Sequence, residues 1–161
     1  MAMSGQTLSR NGQSHLQPFE QAPRPMAGFS GDYASGHETG LHRHPRAQLL
    51  FATAGVMRVT TQAAFFTVPP GTGLWVPADT PHGVRMDGTV QMRALFLRAD
   101  AAASGPLTTT VIAVSPLLRE LILTVCGEPV VQHRKEQRLC PHGRTALVTR
   151  AQGQGDRKSV V

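Results

Sequence analysis

Between Ala27 and Val114 the chain breaks into short β-prone runs, each closed by glycine, proline or aspartate. No other feature constrains the fold as much. The runs are AQLLFATA (47–54), VMRVTTQ (56–62), AAFFTV (63–68), GLWV (73–76), HGVRM (82–86), VQMRALFLR (90–98) and TTTVIAV (108–114). Between them stand PPGTG at 69–73, PADTP at 77–81, DG at 87–88 and ASGP at 103–106, all of them turn chemistry. Runs of this kind predict an all-β sandwich or barrel. In 90–98, Val90, Met92, Ala94 and Phe96 alternate with Gln91, Arg93, Leu95 and Leu97. That is the pattern of a strand with one face in a core and the other half covered.

The flanks have a different texture. Residues 115–125, SPLLRELILTV, predict one helix, with Ser115 as cap and Pro116 in the first turn, where its missing N–H costs nothing. Leu118, Leu121, Ile122 and Val125 form its stripe, widened by Leu117 and Leu123. So apolar a helix must dock on the barrel or on a second copy, which makes a homodimer through helix 115–125 an expected assembly. Residues 1–26 are polar and aperiodic and are expected as a flexible arm. Residues 27–125 then form the barrel with its helix, and 126–161 a basic, disordered tail.

At 161 residues there is enough chain for one core. No apolar run reaches membrane-spanning length, and the first residues lack the apolar segment of a secretory signal. Cys126 and Cys140 make no metal-finger spacing, so a reducing, cytoplasmic setting is expected. The charge is uneven. Residues 1–125 hold nine Lys and Arg against seven Asp and Glu, and 126–161 hold seven against three, including the only lysines, Lys135 and Lys158. A frameshifted or truncated reading frame and a natural tail of different composition both fit this change. The tail has no aromatic residue and no amphipathic recognition helix, so direct DNA binding is not expected of this chain.

Chemistry concentrates in two blocks. The first reads Gly36-x5-His42-x-His44-x3-Gln48-x6-Gly55, the second Gly71-x5-Pro77-x-Asp79-x2-His82-x3-Met86. On a strand, residues two apart share a face, so His42 and His44 present both imidazoles to one side. Gln48 stands at even spacing from them, and His82 opens a later strand and can approach from across a barrel.

These blocks resemble the paired motifs of the cupins, small jelly-roll β-barrels whose histidines and glutamate hold one divalent metal. The resemblance implies His42, His44, Gln48 and His82 as ligands, with Gln48 in place of the glutamate, Asp79 in place of a glycine and Met86 in place of an asparagine. An uncharged amide would hold a divalent ion less strongly than a carboxylate. Three imidazoles with an amide oxygen suit Zn, Ni, Fe or Cu better than Mg or Ca. Over roughly 27–125, HRHPRAQLLFATAGVMRVTT, VPPGTGLWVPADTPHGVRM and VIAVSPLLRELIL resemble the N-terminal cupin-type sensor domain of AraC-family transcription regulators. That resemblance implies a small-molecule effector and often a dimer. The helix-turn-helix pair that follows in that family has no counterpart in 126–161.

Other candidates carry weaker signals. Trp75, Phe51 and Arg93 are the ligand-pocket candidates, with core packing for the two aromatics and solvation for the arginine as the plainer readings. Arg46, Arg58 and Arg85 lie near the motifs and invite the same two readings as Arg93, a solvated side chain or a clamp for an anion. His37 could sit on the pocket rim, while His15, His133 and His142 fall in the expected arm and tail. A small metal-dependent cupin enzyme, of dioxygenase or isomerase type, is the alternative function. It needs an acid or base beside the metal, and the barrel region's carboxylates, Asp32, Glu38, Asp79, Asp87 and Asp100, all fall in turns or beyond strand ends in this reading.

Overall fold

Two long strands carry the architecture. In a computed structural model, which describes residues 16–130, β2 (Ala47–Thr61) and β5 (His82–Leu97) pair antiparallel along nearly their whole lengths. Ala47–Ala52 run against Leu97–Met92, and Val56–Thr61 against Asp87–His82, with register shifts between. The sequence divided each of these strands into two runs, at Gly55 and at the DG pair. The structure instead carries both strands through, absorbing the breaks as an irregularity that bends the ribbon. Gly55 has φ +76°, and a Cβ there would run into Thr89 O and Val90 Cα. Only glycine lets the strands approach so closely at the bend.

Shorter elements complete an antiparallel sheet. β1 (Met26–Tyr33) lies outside the second half of β5, β4 (Thr72–Val76) outside the first half of β2, and β6 (Thr110–Ala113) outside β4. β3 (Phe65–Val68) pairs with the second half of β2. The run read as 63–68 starts late because Thr61 Oγ1 accepts from the N–H groups of Ala63 (3.2 Å) and Ala64 (3.1 Å), tying a turn. The run at 108–114 shortens to β6. No run was assigned to β1, whose glycines, serine and aspartate dilute its alternation, and a four-residue helix, α2 (Ala99–Ala102), was likewise not expected.

Both halves of the bent ribbon send side chains into one interior. Leu50, Ala52, Met57 and Val59 of β2 meet Val84, Met86, Val90, Met92, Ala94 and Phe96 of β5 there. A second cluster lies on the opposite face: Ala47, Leu49, Phe51, Trp75, Leu95 and Ile122. Its cover is α3 (Pro116–Gly127), the helix expected at 115–125. Ser115 caps it by accepting from Leu118 N–H at 3.2 Å. Ile122 is fully buried and Leu118 and Val125 pack beside it, whereas Leu117 and Leu121 are 72% and 54% exposed. Burying Ile122 alone is worth about 2–3 kcal/mol. The helix lies so close to β1 that a Cβ on Gly28 would meet the backbone of Val125 and Cys126 at 2.5–2.6 Å.

Of the expected N-terminal arm, residues 16–25 lie on the barrel, with a short helix α1 (Gln17–Glu20) and Leu16 buried in the interior cluster. Arg46 holds them. Its guanidinium donates to Glu20 O (2.7 Å), Arg24 O (3.1 Å) and Ala22 O. Residues 1–15 of that arm and 131–161 of the expected tail lie outside the described residues, with His15, His133, Cys140 and His142 among them. No helix among the described residues is long and apolar enough to cross a membrane.

Candidate metal centre

The barrel brings three of its histidines together at the start of β2 and β5. His42 and His82 form a backbone bridge: His42 N–H donates to His82 O (2.9 Å) and His82 N–H to His42 O (2.8 Å). His44 lies in the loop just before β2, and Gln48 is the second residue of that strand. Their i, i+2 spacing predicts His42 and His44 on one face of a strand. They converge instead from a loop, pinned by the bridge to His82 and by Asp79 N–H donating to His44 O at 2.8 Å. Asp79 takes φ +57°, so the aspartate at the second motif's glycine position adopts the conformation a glycine would hold at no steric cost.

Each imidazole is held at one nitrogen. Nδ1–H donates to Gly40 O from His42 (3.0 Å), to Arg46 O from His44 (2.7 Å) and to Thr80 O from His82 (2.8 Å). A neutral ring anchored in this way turns its Nε2 lone pair away from the anchor. The ring centroids lie 4.4 to 6.0 Å apart, and one ligand nitrogen from each ring falls within 4.8 Å of the others. Gln48 Oε1 stands 3.0 Å from His44 Nε2 and 3.1 Å from His82 Nε2. All four side chains are buried, and His44 packs edge-on against Phe96. Burial first, and then the neighbouring His42, pushes the His82 imidazole down to about 3, so it is neutral at neutral pH. Three anchored imidazoles with an amide are a donor set that fits a divalent transition metal.

The cavity beside this cluster admits little more than a water molecule or a bare ion. Besides His42, Gln48 and His82 its walls include Leu16, Phe29, Tyr33, Leu50 and Met92. None of these five is among the expected pocket residues Trp75, Phe51 and Arg93. Leu50 and Met92 were within reach of the sequence, since they share strand parity with Gln48 and Val90. His37 stacks on Tyr33 at 4.8 Å, and burial raises the Tyr33 phenol above its usual range.

None of the three expected pocket residues faces the histidines. Phe51 and Trp75 belong to the outer cluster under α3, and the Trp75 indole N–H donates to Pro106 O at 2.8 Å. Arg93 pairs across from Phe51 on that same face and reaches Asp32 at 3.4 Å. Strand parity is the reason: Gln48 points inward, so Leu49 and Phe51, with their partners Trp75 and Arg93, point outward. Arg58 and Arg85 lie at the surface beside Asp87 and Glu38, and Arg46 is spent on the arm. The carboxylates Asp32, Glu38, Asp87 and Asp100 each pair with an arginine, and none lines the cavity.

Comparison with known proteins gives a consistent family. The AraC-like ligand binding domain family matches residues 27–142. The HTH-type transcriptional regulator NimR of Escherichia coli (strain K12) is 32% identical over 92 residues, 57% of this chain and 33% of that protein. The chain thus spans about a third of the length of the curated relative it matches. A Cupin 2 conserved barrel domain protein from Salinispora arenicola aligns over 50% of this chain and 69% of its own, with 23% identity and a TM-score of 0.43. The unsaturated fatty acid-bound ToxT of Vibrio cholerae aligns over 64% and 46%, with 5% identity and a TM-score of 0.49.

Proposed function

The chain belongs to the family of AraC-like ligand-binding domains, and from that premise we propose that it senses a small effector or a metal on behalf of transcription, using the histidine cluster as its binding centre. One observation carries this reading: three buried imidazoles, each fixed by an Nδ1–H bond to a backbone carbonyl, bring one ligand nitrogen apiece within 4.8 Å of the others. His42, His44 and His82 would hold a divalent transition metal (Zn, Ni, Fe or Cu), with Gln48 as a weaker fourth ligand. Bound there, the ion would supply Lewis acidity and an open coordination position for an effector's oxygen or nitrogen.

The chain's own residues do the rest. The cavity is too small for an organic effector while Leu16 stands in its wall, so an incoming ligand must displace Leu16 and strain the segment that Arg46 holds. Occupancy of the barrel is then relayed to residues 16–25. A second copy is the proposed protein partner, docked on the exposed edge of α3, and a cytoplasmic setting suits a sensor of this kind.

Metal analysis with thermal unfolding tests the centre. Chelator-treated wild type should gain thermal stability on addition of Zn²⁺ or Ni²⁺, and His42→Ala and His82→Ala should lose that gain and the bound metal. If neither substitution changes metal content or the metal-induced shift, the centre is not a metal site.

A further inference from the structure

We propose that the free edge of β6 pairs with the same edge of a second copy of this chain, joining two barrels through one continuous sheet. With the reading above it shares only the second copy. The surface is a different one, and it rests neither on the metal nor on the exposed leucines of α3.

β6 stands last in the sheet order β1-β5-β2-β4-β6, and among the described residues it pairs only with β4. The ladder fixes which backbone groups are left over. Val114 N–H donates to Gly71 O at 3.0 Å, and the register continues with Ile112 opposite Gly73 and Thr110 opposite Trp75. In an antiparallel pair, alternate residues turn both backbone groups toward the same neighbour. Thr110, Ile112 and Val114 therefore bond toward β4, while Val111 and Ala113 turn N–H and C=O away from it. Both of these residues are exposed, Val111 by 51%. Such a row of backbone groups is a template for another strand, and sheets usually blunt it with charge, proline or a bulge. At the other end of the sheet, β1 carries Asp32, paired with Arg93 at 3.4 Å, and α3 packs against it. β6 has no such protection.

Charge selects the occupant. No charged residue occurs from Val59 to Ala78 or from Ala101 to Leu118, so β3, β4 and β6 make an uncharged end of the sheet on a chain of net charge +6. Nucleic acid or an anionic membrane surface would need cations at the contact, and a charged peptide would find no counter-charge. A second copy brings the same uncharged strand, and two cationic chains repel least where neither is charged. The geometry is self-complementary as well. About a two-fold axis at Ile112, Val111 of each copy lies opposite Ala113 of the other, and each such pair exchanges both its N–H···O bonds. The two Ile112 side chains then meet at the axis, beside the outer cluster they already join, as a β-branched pair suited to adjacent strands.

Sedimentation velocity and amide hydrogen exchange on the full chain, from about 1 to about 100 μM, test this. Wild type should dimerise within that range. The amides of Val111 and Ala113 should gain protection as concentration rises, while that of Ile112, already bonded to β4, should not change. Val111→Lys replaces an exposed side chain and leaves the β4 ladder intact. It should melt like wild type at the lowest concentration, lose the added protection and dimerise at least about tenfold more weakly. Val111→Thr, uncharged and β-prone, should dimerise like wild type. A wild type that stays monomeric throughout overturns the proposal. So does a dimer that Val111→Lys leaves intact while both amides exchange freely, and loss of that dimer in Leu121→Asp would put the second copy on α3 instead. Protection of Val111 and Ala113 that does not vary with concentration also overturns it, because the edge is then covered from within the same chain.

Discussion

The two faces of the main sheet are equally apolar and do different work. Toward the interior, β2 and β5 present Leu50, Met92 and Phe96 around four buried polar side chains that hydrogen-bond to nearby carbonyls and to one another. On the other face Leu49, Phe51, Trp75 and Leu95 pack under α3, and the polar bonds there are few, among them the Trp75 indole to Pro106 O and Cys126 Sγ to Phe29 O. The difference teaches that burial by itself does not locate a site here. What separates the faces is the polar cluster at one end of the interior, where a bridge between His42 and His82 brings distant segments into register.

The sharpest way to break that division is Phe51→Ala. Phe51 is 1% exposed and packed under α3, so its loss should cost about 3–5 kcal/mol of stability. Metal affinity per folded molecule should not move, because the side chain points away from the histidines. Denaturant unfolding and Zn²⁺ titration at a temperature where the variant is folded check both halves. A variant of normal stability that no longer binds Zn²⁺ would return Phe51 to the pocket.

The same division explains what could be read from residue order. The histidine cluster was legible because its residues sit at fixed spacings beside turn residues that the barrel needs. His42, His44 and His82 meet whatever the exact strand boundaries are. The pocket walls were not legible, because in AQLLFATA both parities are apolar and nothing local says which one faces inward. Phe51, Trp75 and Arg93 all lie on the parity that faces α3 and the outer cluster. β1 was missed because its inward residues Phe29 and Tyr33 are separated by Ser30, Gly31 and Asp32. The placement of residues 16–25 depends on Arg46 finding three backbone carbonyls some twenty residues away, and carbonyls leave no trace in side-chain order.

A smaller effect sharpens the electrostatic side of the contrast. The outer cluster contains no histidine, whereas the interior holds His82 down to about 3. Below the unfolded value of 6.5 the unfolded chain takes up a proton that the folded chain refuses, so stability must fall as pH drops from 6.5 toward 3. Above 6.5 neither state binds that proton and this contribution is flat. One pH unit below 6.5 should cost metal-free protein about 1 kcal/mol. In His82→Gln that slope should be shallower. An identical slope in the two chains would mean that another group controls acid unfolding.

The smallest effect on stability separates the two edges of α3. Ile122 is buried against the outer cluster, while Leu121, one residue earlier, is 54% exposed and Leu117, a turn before it, is 72% exposed. Leu121→Asp should therefore change the stability of the single chain by no more than about 0.5 kcal/mol, as surface substitutions do. Ile122→Asp, which buries an unpaired carboxylate, should unfold it. If a second copy docks on Leu117 and Leu121, wild type should sediment as a dimer at micromolar concentration and Leu121→Asp as a folded monomer. A wild type that sediments as a monomer throughout that range removes the second copy. The exposed leucines would then be surface residues of a helix whose packing is complete on its other side.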